Sequence, residues 1–445
     1  MPAKLPDVRG TTTPEFHRVS CAQYHTQMAV SGMGADIGYV VHGDRACGNI
    51  FKNNVAETRA PMYSTMLSET DMVYGGASKL ERTLAEAIAR GARAVFVLST
   101  CPSQLIGDDV GAVCKKVERE TGVPVFPMDT CGMVYRPVPE LHDDVLVALA
   151  EKVMRPQEVE PRSANFLGYE AAWDDRPGRN VDALRALLAG IGVHLRACIP
   201  AGATFADVES APGAALNVVR YFDSSRRAAR LMKDRFGTPF VSPPPPVGVA
   251  GTARFLRDVA GALGIAEAEG TIAAGEAWAR TQIAAARAGL PDRLHAGYYV
   301  NHETHTGLIG IQGDLAADLL MLDELGFDVT LLCISRPEVR DTLATHFESF
   351  LAPRGISARV VYYSHPPDLR RILLDPSMRF DVCFNTRSNK RYLREAGHPY
   401  IEPPARDGVQ PYYGFEGAVR MACEYFKVAN HIFFRKYAAY TGDAA

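Results

Sequence analysis

The chain has 445 residues, 47% of them hydrophobic and 22% charged, with a formal net charge of −3, the composition of an ordinary soluble globular protein. There is no basic excess to recruit nucleic acid and no charge block to form a tail, and no run of about 18 apolar residues could span a membrane. The opening stretch MPAKLPDVRGTTTPEF has no apolar core of the secretory kind, which predicts a cytoplasmic protein, and the length predicts about three domains.

In the first third, IGYVVHG (37–43) and ARAVFVLST (92–100) read as buried strands. ASKLERTLAEAIARG between them reads as an amphipathic helix closed by Gly91, and VPVFPMDT follows as the next strand. MRPQEVEPRSANFLG (154–168) reads as a hinge leading to a second unit. That unit holds a helix and strand in NVDALRALLAGIGVHLRACI, a strand in AALNVVRYF and a helix in SRRAARLMKDRFG. The proline run of VSPPPPVGVAGTARFLRDVAGALG is an extended spacer, with Thr252 placed to cap the helix behind it. A long Ala-rich helix from about Glu267 to Ala288 leads to a third unit. There HAGYYVN, DVTLLCIS, ARVVYYS and FDVCFN are strands and GDLAADLLMLDELG is a helix. The expected fold class is α/β, with three Rossmann-like domains, each a mainly parallel sheet flanked by helices. The expected boundaries are 1–155 for a first domain carrying the candidate cysteines, 156–290 for a second, and 291–445 for a third with the C-terminal helices.

Nine cysteines are present, at 21, 47, 101, 114, 131, 198, 333, 383 and 423, with no CxxC pair that would make a zinc ribbon. Most should be buried small hydrophobes, among them Cys333 and Cys423. Cys47 and Cys101 differ, because both follow strands, at the edge where ligands of parallel sheets bind. Cys21 in SCAQYHT, Cys47 in VVHGDRACGN and Cys101 in VLSTCP stand 26 and 54 residues apart. Gly43 and Gly48 permit close backbone approach around Cys47. Pro102 suits the first turn of a helix, whose free N–H groups would face an anion beside Cys101. Thiolates gathered on one anionic inorganic core describe an iron–sulfur cluster. Three is one short of four, so either Cys131 in MDTCGM completes the set or a second chain does.

VVHGDRACGN, STMLSETDMVYGG, STCPSQLIGDDV and PYYGFEGA together resemble the nitrogenase component 1 superfamily over nearly the whole chain. That family comprises the large subunits of dinitrogen reductase, their cofactor-assembly scaffold homologues, the dark chlorophyll-precursor reductases and the nitrogenase-like methylthio-alkane reductases. The resemblance implies that Cys21, Cys47 and Cys101 hold half of a P-type [8Fe-7S] cluster shared with a second, unlike subunit. It also places Ser99, Glu69, Asp108 and Asp109 near that cluster, although helix capping and surface solvation is the other reading of the two aspartates and the favoured one for Asp109. The implied assembly is an α2β2 heterotetramer with an α-type catalytic subunit, served by a homodimeric ATP-dependent iron protein; this chain has no phosphate-binding loop of its own.

The family's catalytic subunit holds its metal cluster through one cysteine and one histidine, and the matching positions here are Tyr221 and Pro404. PPPVGVAGTARFLRDVAG also resembles the β-type subunit, so the expected role is electron relay rather than substrate reduction. The early position of Cys21 and the surroundings of Cys131 lean towards the methylthio-alkane reductase branch. A cofactor-assembly scaffold, or a β subunit acting on dinitrogen or a chlorophyll precursor, is the alternative. His302 and His305 in NHETHTGLIG read as a sheet-edge loop and not a metal pair, while His25 and His42 stand where they could hydrogen-bond cluster sulfurs.

Overall fold

A computed structural model describes residues 21–52, 59–133, 136, 138–169, 179–220, 222–300, 314–334, 343, 344, 348, 352, 355, 357–384, 390–401 and 411–431. The described strands form three sheets, and every pairing in them is parallel. The chain is an α/β protein with helices flanking these sheets, as the strand–helix alternation predicts.

The first sheet comprises β1 (Ile37–His42), β2 (Met62–Ser64), β3 (Ala94–Ser99) and β4 (Val125–Met128) in the order β2-β1-β3-β4. Both β1 and β3 are buried along their whole length, which is why they appear as unbroken apolar runs rather than alternating ones. Helix Ala77–Ala89 buries Leu80, Leu84 and Ala87 on one face, and Gly91 behind it takes φ +101°. The chain steps outward from β1 to β2 and then returns to the other side of β1 as β3. The carboxyl ends of β1 and β3 therefore flank the crevice where the strand order reverses.

The second sheet is β5 (Glu160–Tyr169), β6 (His194–Pro200), β7 (Ala214–Val219) and β8 (Phe240–Val241) in the order β6-β5-β7-β8. Its inner strand β5 occupies the stretch that the sequence presents as a hinge. Pro161, Arg162 at φ 54° and the buried Asn165 break the apolar signature. Asn165 is accommodated because its Nδ2 donates to the Ala211 carbonyl at 2.7 Å and to Asn217 Oδ1 at 2.9 Å. The first two sheets belong to one compact unit, made of the described residues up to Pro243 with Gly261–Ile265. One apolar core runs through both, with Phe96 stacked on Phe126 at 4.6 Å and Leu149, Ile199 and Met232 beyond. Asp143, on helix Val138–Lys152, accepts the backbone N–H groups of Arg227 (2.8 Å) and Ala228 (3.0 Å) in helix Phe222–Phe236. Burial holds its carboxyl above the ordinary range, against the pull of those bonds and of the Arg227 guanidinium.

The other unit holds Pro244–Ala260 and the described residues from Ala266 onward. Its sheet is β9 (Leu294–Val300), β10 (Phe327–Ile334), β11 (Arg359–Tyr363), β12 (Val382–Phe384) and β13 (Tyr400–Ile401), in the order β11-β10-β9-β12-β13. The helix after the proline run is Gly248–Leu263, and Thr252 does not cap it. Thr252 lies one turn inside and donates to the Gly248 carbonyl at 2.6 Å. The cap comes from far along the chain: the Glu324 carboxylate accepts the N–H groups of Val249 (2.9 Å) and Ala250 (3.2 Å). The Ala-rich helix is Ala268–Ala286, close to its expected bounds.

The PYYGFEGA motif opens helix Gly414–Ala429. Gly414 takes φ +84°, and a Cβ on Gly417 would lie 2.3 Å from the Tyr412 carbonyl oxygen and 2.4 Å from its carbon. Backbone cannot step aside as a side chain can. Gly417→Ala is therefore expected to cost about 3 kcal/mol, read as a drop in the chemical-denaturation midpoint, whereas Gly261→Ala, which meets nothing within 4 Å, should not lower it.

Candidate metal centre

His42 and Ser99, the last residues of β1 and β3, are register partners, so the loops leaving them start side by side. After β1, Asp44 Oδ1 accepts the Cys47 N–H at 2.9 Å and starts helix Arg45–Lys52, with Cys47 as its third residue. After β3, Ser103 Oγ accepts the Thr100 N–H at 2.9 Å and helix Cys101–Leu105 begins on Cys101 itself. Thr100 Oγ1 donates to the His42 carbonyl at 2.8 Å and so fastens the two loops together. Gly43 is what lets them meet, because a Cβ there would lie 2.3 Å from Thr100 Oγ1. Gly48 is less constrained: a Cβ would make ordinary contact with Ser64 Oγ at 3.5 Å. The Cys101 helix is only five residues long, so its dipole adds little to the site.

Cys21 stands at the N-cap of helix Ala22–Ser31, all ten residues of which are buried. Cys131 follows β4, and two rungs hold its loop against β3. Ser99 Oγ donates to the Met128 carbonyl and Thr130 Oγ1 to the Ser99 carbonyl, each at 2.6 Å. The Ser99 hydroxyl proton is thereby committed to the backbone. The next residue, Gly132, lies against two of the sulfurs: a Cβ there would be 3.4 Å from Cys101 Sγ and 3.7 Å from Cys21 Sγ.

Four thiols thus share one edge of the first sheet. Burial raises the Cys131 thiol, with a smaller contribution from charge on Cys101. Burial raises the Cys21 thiol, with smaller contributions from charge on Cys101 and Cys131. Burial pushes Cys47 up to about 12, helped by the Asp44 carboxylate and by charge on Cys21 and Cys101. Cys21, Cys47 and Cys101 are half-buried, whereas Cys131 is buried. Among the described residues no three His, Cys, Asp or Glu side chains are gathered for a single metal ion. A polynuclear core would be held by thiolates spread more widely than the ligands of one ion. Soft sulfur donors gathered at the switch point and the close-approach glycines beside them fit an iron–sulfur cluster. Such a group supplies electron-transfer chemistry when bound; the chain supplies the sulfurs and the wall behind them.

The remaining thiols stand apart. Cys198, Cys333 and Cys383 are buried in β6, β10 and β12, as their alternation predicts, and burial pushes Cys198 up to about 12. Cys423, expected in the core, is half-buried on helix Gly414–Ala429. Tyr221, His302, His305 and Pro404 lie outside the described residues.

The histidine and acid positions divide by role. Asp109 caps helix Val110–Thr121, accepting the Ala112 N–H at 2.8 Å. Glu69 is exposed in the first turn of helix Glu69–Tyr74. Asp108 instead turns inward, accepting from Gly76 N–H at 2.9 Å and meeting His42 Nε2 at 3.0 Å. The other ring nitrogen of His42 is 3.2 Å from Thr65 Oγ1, so both nitrogens are spent away from the sulfurs. Sequence reasoning placed Asp108 nearby but missed this partner, and also Gly76, where a Cβ would lie 2.8 Å from Asp108 Oδ2 and 3.0 Å from His42 Cε1. His25 is buried in helix Ala22–Ser31, edge-on to Tyr24.

Burial lowers the His42 pKa more than Asp108 raises it, and His398, buried in the other unit, is lowered by burial too. A histidine lowered on folding lets the unfolded chain take protons first. Stability should be full above the ordinary histidine value of about 6.5 and fall as the pH drops below it. Denaturation midpoints at stepped pH check this, and His42→Gln should flatten part of the slope.

Large exposed apolar side chains crowd the same edge. Val73 (74% exposed), Tyr74 (85%) and Leu105 (71%), with Met66 and Met133, all lie in segments leaving the carboxyl ends of β2, β3 and β4. A concentration of this kind marks an interaction surface. Among the described residues no helix is long and apolar enough to cross a membrane.

A family described as nitrogenase component 1 type oxidoreductase matches residues 21–430. The nitrogenase iron-molybdenum cofactor biosynthesis protein NifE of Sinorhizobium fredii is 30% identical over 241 residues, 51% of this chain and 47% of that protein. The nitrogenase molybdenum-iron protein alpha chain of Clostridium pasteurianum is 29% identical over 258 residues, 54% of this chain and 46% of that one. The chain thus spans about half the length of these curated relatives in the matched stretches. The solved structure "Nitrogenase Cp1 at pH 5" superposes with a TM-score of 0.74 at 21% identity, covering 97% of this chain and 91% of that one, which shows a common fold.

Proposed function

The chain belongs to the nitrogenase component 1 type oxidoreductase family, and from that premise we propose that it is the electron-relay large subunit of a nitrogenase-like reductase. In this reading Cys21, Cys47 and Cys101 hold half of a P-type [8Fe-7S] cluster, and an unlike α-type subunit supplies the other half within an α2β2 heterotetramer. A homodimeric ATP-dependent iron protein delivers low-potential electrons, which pass to a catalytic metal cluster in the partner. The observation that carries the reading is the convergence of three half-buried thiols at the first sheet's switch point, with exposed apolar side chains in the segments that leave the same edge. The substrate class, from the sequence resemblance, is a small methylthio compound cleaved reductively at its C–S bond. The domain division that goes with it is 1–155, 156–290 and 291–445, to be checked by limited proteolysis.

A second reading is favoured by the printed role of relatives such as the Sinorhizobium fredii protein: a cofactor-assembly scaffold that holds a cluster precursor and passes it on. Co-purification with the partner, iron and sulfide counting, redox spectroscopy and a substrate screen separate the two. Methane or alkane release from methylthio compounds supports the reductase; transfer of bound metal to an acceptor protein without turnover supports the scaffold. Tyr221→Phe should leave metal content and turnover of the assembled complex nearly unchanged, since a phenol with a pKa near 10 is a poor stand-in for a thiolate. Loss of metal in that variant overturns the subunit assignment.

A further inference from the structure

Met66, Val73 and Tyr74, three of the exposed apolar side chains at the thiol edge, are carried on a short arm that includes helix Glu69–Tyr74, none of whose residues is buried. The arm is clamped at both ends. At its start Met66 takes φ 46°, a left-handed conformation that a long side chain adopts only where its surroundings hold it. The holding bonds run from Met66 N–H to Ser64 Oγ (3.2 Å), from Leu67 N–H to the Gly43 carbonyl (2.8 Å) and from Lys79 Nζ to the Met66 carbonyl (3.4 Å). At its end the chain turns through Gly75, at φ +92°, and Gly76, whose N–H reaches both carboxylate oxygens of Asp108 at 2.9 and 3.0 Å. The same carboxylate meets His42 Nε2 at 3.0 Å, and these two side chains are 6% and 0% exposed. Asp108 stands just past helix Cys101–Leu105, and His42 leads through Gly43 to Cys47. One buried carboxylate thus joins the apolar arm, the approach to Cys47 and the exit from Cys101.

From these contacts we infer that Asp108 is a positioning residue that holds the arm Met66–Tyr74 rigid against the thiol edge and so presents Val73 and Tyr74 in place to the unlike subunit. The inference rests on the reading of this edge as the seat of that subunit. A centre completed by a second chain brings that chain's surface onto the arm, because arm and thiols leave the same end of one sheet. Asp109 next door performs a local task as a helix cap, whereas the partners of Asp108 lie 32 and 66 positions away. An arm fixed before docking gives up little conformational freedom on association. Without the carboxylate, Gly75 and Gly76 regain the widest backbone choice of any residue type, and binding must remove it again.

The test follows dissociation of the co-purified complex on dilution, by sedimentation, for Asp108→Ala, Asp108→Asn, Tyr74→Ala and the Asp108→Ala, Tyr74→Ala pair. Asp108→Ala should weaken association about tenfold. Asp108→Asn keeps an oxygen for the Gly76 N–H and an N–H for His42 Nε2, with His42 Nδ1 then donating to Thr65 Oγ1, and should restore most of the affinity. In the pair, Asp108→Ala should add little to Tyr74→Ala, because holding an arm that has lost its anchor gains nothing. Should Asp108→Ala fail to fold, hydrogen exchange on the dilute, unaccompanied chain decides: the Leu67 and Gly76 amides should exchange as slowly as those of β1, although the arm is exposed. Unchanged affinity in a folded Asp108→Ala, fully additive losses in the pair, or fast exchange at Gly76 overturns the proposal. Tyr74→Ala that associates as tightly as the unsubstituted chain overturns instead the reading of the edge as the subunit's seat, whatever the Asp108 variants show.

Discussion

Replacing Cys101 with alanine is expected to abolish iron retention by the assembled complex while leaving the fold intact. The two outcomes separate because nothing local depends on the sulfur. The turn into helix Cys101–Leu105 is held by Thr100, Ser103 and Pro102, and alanine is the best residue for a helical position. Cys21→Ala and Cys47→Ala should behave alike, since the Cys47 turn rests on its backbone N–H and Asp44. Cys333→Ala is the contrast, because that thiol is sealed within β10. It should lower stability by about 1 kcal/mol for a methyl-sized void and leave iron untouched. Iron determination with far-UV circular dichroism on the same samples decides. Iron retained in Cys101→Ala, or lost in Cys333→Ala, would remove the first sheet's edge from consideration as the metal centre.

The second large effect concerns association. Tyr74→Ala with Leu105→Ala should weaken binding of the partner subunit by about 30-fold or more, taking a central anchor at about 2 kcal/mol. These side chains are 85% and 71% exposed, far more than a folded chain gains by displaying them to water. Trp278, 44% exposed on helix Ala268–Ala286, is the control, and Trp278→Ala should leave affinity unchanged. Sedimentation or calorimetric titration gives the numbers. The unaccompanied chain should be iron-poor or aggregated. A stable monomer with a complete cluster, or undiminished binding by the double variant, would show that the apolar edge serves something other than a shared centre.

Elements were legible where burial is uniform. β1 and β3 are covered on both faces, and their apolar runs give them away. β5 was hidden because its interior polar residue is satisfied by Ala211 and Asn217, more than 40 positions along the chain, a partnership that no local pattern encodes. The same holds for helix Gly248–Leu263, where a hydroxyl at Thr252 suggested a local cap and the true one is Glu324. At the candidate metal centre Cys47, Cys101 and Cys131 stand out because each follows a strand end, whereas Cys21, at the start of a helix, is marked only by its spacing and by the family resemblance. Which of them face outward was not readable, since that depends on the rungs between Ser99, Met128 and Thr130. Asp108 was legible only as one of two adjacent acids; its neighbour Asp109 caps a helix, and half a turn of backbone sends Asp108 to His42 instead.

On the proposed reading, the raised thiols at Cys21 and Cys47 bear on how the centre behaves before any metal arrives. Nucleophilic and oxidisable sulfur is thiolate sulfur, and at neutral pH both of these groups keep their protons. On that reading, Cys21 and Cys47 should therefore be slow towards alkylating agents and peroxides before a cluster binds. Filling the proposed centre would release those protons to solvent, so loading would be a deprotonation as much as a capture. An alkaline shift should quicken loading and, by the same exchange, shorten the time for which an empty subunit survives oxidants.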